Sequence, residues 1–197
     1  MLRLFRPTNG PGWLPEYTRS IERALASVDQ AGLQSQINVL EARIAILEGA
    51  TGWGEYTHTG STQSLTASTK AALVNNKGGV LEVQKPTDVG TLYDGTVITG
   101  RNGDSILGVI EMTFTPDDAV ASNLFVAIDI GGAVGEIYPE DFTIALGAGL
   151  PHIIRYAPPA YTLNTWEANG GTIRVEADGD GVISDVRYVI HRLHKAR

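Results

Sequence analysis

Between residues 33 and 47, apolar side chains recur at alternating steps of four and three: Leu33, Ile37, Leu40, Ile44 and Leu47. That period is the seam of a parallel coiled coil, with Ile37 and Ile44 at heptad position a and Leu33, Leu40 and Leu47 at d. It predicts a helix over about 33–48. A lone helix of this length is marginal in water, so its stripe requires partner copies of the same chain. Upstream, Pro15 suits the first turn of a helix and Glu16 its positive end, while Ile21, Leu25 and Val28 supply an apolar face. Projecting the seam backwards puts Arg23 at a and Ala26 at d, which predicts a break or a phase shift around 29–32, beside Gly32. Gly49-Ala50-Thr51-Gly52 ends the helical period.

From there on the period falls to two. Leu124, Val126, Ile128 and Ile130 alternate with Phe125, Ala127 and Asp129, and Ile173 and Val175 alternate with Arg174 and Glu176. Strands are predicted at 53–58, 80–83, 96–99, 105–114, 123–130, 133–138, 142–146, 152–157, 172–177 and 182–192. Asp94-Gly95, Asn102-Gly103-Asp104, Gly131-Gly132, Asn169-Gly170-Gly171 and Asp178-Gly179-Asp180-Gly181 punctuate them. The stretch 68–77 is readable as a short helix or an edge strand. Many short strands at this spacing make the body mainly β, a sandwich or jelly roll. The predicted organisation is a tail at 1–14, a helical and coiled-coil stalk at 15–50 and a β head at 51–197.

Charge sharpens the picture at the seam. Glu41 and Glu48 fall at e and Arg43 at g, so Arg43 reaches Glu48 of a neighbouring chain. Isoleucine at a with leucine at d favours two strands on core shape alone. The run Arg43-Ile44-Ala45-Ile46-Leu47-Glu48, however, resembles the R-h-x-x-h-E signature (h apolar) of three-stranded coils, in which the arginine crosses to the glutamate and covers the seam. We favour three strands, because that pattern ties a specific charged pair to the ring geometry.

Composition limits what the body can do. Apolar residues make up 43% of the 197, enough for a real core, and the net charge is −7. Residues 1–50 carry five basic and five acidic side chains, whereas residues 51–197 carry ten and seventeen. An acidic body argues against a nucleic-acid partner, which is bound chiefly through phosphate neutralisation. The absence of cysteine removes disulfides, thiolate metal sites and cysteine nucleophiles. No apolar run approaches the roughly 18 residues of a membrane span. Met1 to Arg6 stop at Pro7, short of a secretory core, so synthesis in the cytoplasm without membrane insertion is expected. Within 1–14, Leu4, Phe5, Trp13 and Leu14 lie among prolines and glycines without a local core, which makes them candidates for docking on another protein.

The order of segments then becomes specific. Tyr56-Thr57-His58-Thr59 through Gln63-Ser64-Leu65-Thr66, then Leu73-Val74-Asn75-Asn76 and Leu92-Tyr93-Asp94, resembles the opening of head-fibre or spike proteins of tailed bacteriophages and gene transfer agents. Ile154-Arg155-Tyr156, Ala160-Tyr161-Thr162-Leu163, Ala168-Asn169-Gly170-Gly171 and Ile183-Ser184-Asp185-Val186 continue it, so the likeness spans roughly 53–192. The resemblance implies a homotrimeric, tumour-necrosis-factor-like jelly-roll head located in the virion. It further implies an N-terminal segment anchored to a capsid or other virion protein, and a head turned towards the host surface. A tail-fibre or baseplate component, which differs only in where it attaches, is a further alternative.

Chemistry-bearing motifs are sparse. Asp178-Gly179-Asp180-Gly181 resembles part of a calcium loop, but Arg187 stands where the closing glutamate is needed and the flanks alternate as strands. A hairpin turn using φ > 0 explains the same residues. His191 and His194, three apart in a strand, point to opposite faces, and His58 and His152 are isolated. No nucleophile elbow, phosphate loop or metalloprotease motif occurs, so neither an enzymatic role nor a cofactor is expected. Tyr156, Tyr161 and Trp166, with Tyr138, are candidate aromatic platforms for a surface polysaccharide. A depolymerising spike is the corresponding carbohydrate-active alternative.

Overall fold

The computed structural model describes residues 18–23, 30–48, 51–83, 90–117, 119, 121, 123–145 and 147–194. The chain divides into two compact units, Met1–Ile46 and Leu47–Arg197. In the first, residues 18–23 are helical, and helix α1 covers Gln30–Glu48. α1 begins earlier than the heptad pattern predicts and contains Gly32, so the break expected around 29–32 does not extend into residues 30–32. One glycine costs about 1 kcal/mol in a helix interior, which 19 residues of helix can absorb.

The second unit is mainly β. Its strands are β1 (Gly52–Thr57), β2 (Gln63–Leu65), β3 (Ala71–Ala72), β4 (Gly79–Val83), β5 (Ser105–Pro116), β6 (Asn123–Asp129), β7 (Glu136–Thr143), β8 (His152–Tyr156), β9 (Pro159–Tyr161), β10 (Thr172–Ala177) and β11 (Gly181–His194). A short helix, α2 (Asn164–Asn169), precedes β10. Every pairing is antiparallel. The larger sheet runs β4-β1-β11-β5-β8, with β2 added on β11 and β9 on β5; the smaller runs β3-β10-β6-β7. The pairs β1–β11, β3–β10, β5–β8 and β6–β7 nest within one another along the chain, a course consistent with a jelly-roll wrap.

Sequence parity explains the layering. Along β5, Ile106, Gly108, Ile110, Met112 and Phe114 face inwards while Leu107, Val109, Glu111 and Thr113 face outwards, and β10 alternates as strictly. The two inner faces interdigitate around Phe114, Leu124, Val126, Val175 and Ile190. Tyr93 meets Tyr56 and Tyr188 edge-on, with ring centroids 5.4 and 4.9 Å apart. Each hydroxyl of this buried trio donates to oxygen: Tyr56 to Glu82 at 2.6 Å, Tyr93 to the Asn75 carbonyl and Tyr188 to the Leu73 carbonyl. Among the described residues the ion pair of Arg192 with Asp104, at 2.9 Å, is fully enclosed, both side chains 1% exposed.

Two expectations are corrected and one open alternative is resolved. Residues 96–99 form no strand; Ile98 alone among them is buried, and it makes single bridges to Tyr93 and Gly171. The segments expected at 133–138 and 142–146 are one bulged strand, β7. Residues 131–135 form its turn, and Tyr138 at φ +52° sits in the extra residue opposite Ala127. Finally, the stretch 68–77 contains a two-residue edge strand, β3.

Candidate functional site

The first candidate surface lies on α1. Leu33, Ile37, Leu40 and Ile44 are 46–56% exposed, so the four-three stripe is intact and uncovered within the single chain. Nothing compensates at the helix ends, since α1 has neither an acidic first turn nor a basic last one. Moving the exposed half of each side chain into a shared core stabilises by about 1 kcal/mol per residue. Arg43 is exposed; Leu47 and Glu48 belong to the helix, and their side chains lie outside the described residues. Val39 lies beside the seam, where with Ser35, Gln36, Leu40 and Arg43 it borders a concavity of about 300 Å³. Leu4, Phe5, Trp13 and Leu14 lie outside the described residues.

The second surface is the outer face of the larger sheet. Antiparallel partners share a face, so register assigns its rows. Val83, Trp53, His191, Leu107 and Pro159 form one row, and Leu81, Glu55, Val189 and Val109 the next. Trp53 stacks on His191 with centroids 6.0 Å apart. A charged row follows: Arg187 donates from Nε to Glu55 at 2.8 Å and from Nη1 to Glu111 at 2.9 Å, and Arg155 stands 3.7 Å from Glu111. The bond to Arg187 holds the Glu55 carboxyl below its ordinary range, and bonding to both glutamates raises the arginine further. Ile153, beyond that row, is 83% exposed. The sequence reading passed over this face; the alternation of Arg187, Val189 and His191 along β11 is the signal that marks it.

The aromatic platform does not assemble. Trp166 and Tyr156 are core residues: the indole Nε1 donates to the Ile98 carbonyl at 2.9 Å, and the Tyr156 hydroxyl donates to the Tyr138 carbonyl at 2.6 Å. Burial pushes the Tyr156 hydroxyl well above its ordinary range. Tyr161 is exposed at 57%, and Tyr138 is also at the surface. A buried ring has no face left for a sugar.

The acidic turn is used internally. Asp178 accepts from the Asn123 N–H at 3.1 Å and Asp180 from the Ala67 N–H at 2.7 Å. Gly179 and Gly181 are required by close approach and not by positive φ, for a Cβ on Gly181 would lie 2.5 Å from the Phe114 ring. His58 bridges the Ser61 carbonyl and the Asn76 N–H. Among the described residues no cluster of three metal-ligating side chains occurs, and no helix is long and apolar enough to cross a membrane.

No family model and no curated protein matches the chain. Among solved structures it is similar to the PRD1 vertex protein P5, at 16% identity over 74% of this chain and 73% of that one, with a TM-score of 0.41. It is also similar to the Eiger TNF from S. frugiperda, at 8% identity over 75% and 96%, with a TM-score of 0.46. A third similarity, at 10% identity and a TM-score of 0.30, is to infectious bursal disease virus Gx strain, over 73% of this chain and 32% of that one.

Proposed function

We propose that this chain is a structural virion protein, a homotrimeric head fibre or spike of a phage-like particle that contributes to host-surface attachment. One observation carries the reading: a heptad-spaced stripe of Leu33, Ile37, Leu40 and Ile44 stands uncovered on a 19-residue helix. Such a stripe is stable in water only when shared between copies. The mainly β second unit and the resemblance of residues 53–192 to phage head fibres and spikes support the rest. In this reading Arg43 and Glu48 set register between chains, and three identical heads displayed together turn weak individual contacts into avid ones. Residues 1–14 attach the trimer to the virion through Leu4, Phe5, Trp13 and Leu14.

Sedimentation equilibrium of the full chain tests the assembly. The expected mass is three times the 21.0 kDa protomer, and a monomer at micromolar concentration rejects the reading. Deleting residues 1–14 leaves the trimer intact and abolishes incorporation into particles; retained incorporation rejects the anchoring role.

A further inference from the structure

We propose that His58 is an acid-released clamp: its neutral ring ties down the crossing from the smaller sheet to the larger, and protonation lets the outer half of that crossing open. β3 belongs to one sheet and β4 to the other, so residues 73–78 pass between them. From Val74 onwards side chains hold this segment, not a ladder. Gln63 accepts from the Val74 N–H and donates to the Ala72 carbonyl. Asn75 donates to the Tyr56 carbonyl, and Asn76 exchanges two bonds with the Thr59 backbone, at 2.7 and 3.1 Å. His58 completes the set, with Nδ1 3.1 Å from the Asn76 backbone nitrogen and Nε2 2.6 Å from the Ser61 carbonyl.

A backbone N–H only donates and a carbonyl only accepts, so this geometry fixes the tautomer: Nδ1 is bare and Nε2 carries the hydrogen. The imidazolium has hydrogen on both nitrogens. Protonation therefore keeps the bond to Ser61 and sets two donors against each other at Asn76. Of the four clamping side chains, Gln63, Asn75, Asn76 and His58, only the last is of a kind that changes charge between about pH 5 and 8. Neighbouring charges offer the new cation no partner at the ring, whose two nitrogens are both committed to backbone groups. Residues 59–65 carry none. β11, whose Val186 carbonyl accepts from the His58 N–H, brings Asp185, bonded to Ser184, and Arg187, paired with Glu55 and Glu111. β4 brings Glu82, bonded to Tyr56, and the crossing itself brings Lys77, whose ammonium lies 5.6 Å over the Tyr56 ring. The inner half of the crossing has no such weakness. The Leu73 N–H donates to the Ile173 carbonyl, and the Leu73 and Asn75 carbonyls accept from the Tyr188 and Tyr93 hydroxyls. Opening is thus confined to residues 76–78.

Residue-resolved hydrogen exchange on the full chain, at about pH 7.5 and about pH 5.5, tests the clamp. After correction for intrinsic exchange, protection of the Asn76 N–H is expected to fall about tenfold at the lower pH, the worth of one hydrogen bond, while that of Leu73 holds. His58→Asn replaces the ring with a side chain that does not titrate, so protection of Asn76 should become independent of pH, at whatever level it settles. Equal protection of Asn76 at both values in the native chain overturns the proposal. A fall of the same size in His58→Asn also overturns it, by assigning the effect to another group. So does a fall shared by Leu73, because the whole crossing then opens and not its clamped half.

Discussion

Trp166 is held by what surrounds its edge. A Cβ on Gly171 would lie 2.7 Å from the indole and one on Gly100 3.3 Å from Nε1, so two residues without side chains make the slot into which the ring fits. Trp166→Phe keeps an aromatic ring but removes one of the two hydrogen bonds that the Ile98 carbonyl accepts, the other coming from the Gly171 N–H, and leaves a void beside both glycines. The expected loss is about 2 kcal/mol, read as a lower denaturation midpoint at unchanged slope. The buried tyrosines give the head an alkaline limit. Burial, reinforced by Glu82, pushes Tyr56 up to about 12, and burial with the charge of Asp94 does the same for Tyr93. An acid whose folded value is raised contributes stability that is intact below its ordinary value, roughly 10, and lost as pH rises through the folded one. The near-ultraviolet circular dichroism of the β unit should therefore be lost as pH rises between those two values. A signal intact above the higher of them would contradict this.

At the scale of elements, the seam and the head separate cleanly under mutation. Ile37 and Ile44 are about half exposed in the single chain, so Ile37→Asn with Ile44→Asn removes nothing from the head's core. The double variant is expected to sediment as a lighter species while the thermal midpoint of the β unit moves by less than a few degrees, which paired sedimentation and calorimetry would measure. The elements that could be read in advance are those whose parity is unbroken. β5 and β10 alternate strictly, and α1 repeats its apolar step over two heptads. Failures came where parity is ambiguous. In His152-Ile153-Ile154-Arg155-Tyr156 apolar residues occupy both faces, so nothing local reveals that Tyr156 points inwards. Residues 96–99 have strand-like composition, yet only Ile98 finds bridge partners and Trp166 covers its carbonyl. Arg187 reads as a missing calcium ligand in sequence; its pairing with Glu55, 132 residues away, is set by strand register.

For the molecule as a whole, the nested pairing decides when the head can form. β11 holds β1, β2 and β5 together, and it is the last of the eleven strands among the described residues. During translation, at about 5–20 residues per second, the helix that carries the seam leaves the ribosome well before β11 is made. If the seam pairs copies as proposed, nascent chains can find one another by their helices while the β units are still open. A product cut short before Gly181 lacks the strand that links β1 to β5, and so cannot complete the larger sheet. On the proposed homotrimeric reading, such a fragment would still enter trimers through its helix, carrying an unfinished head into an assembly of complete ones.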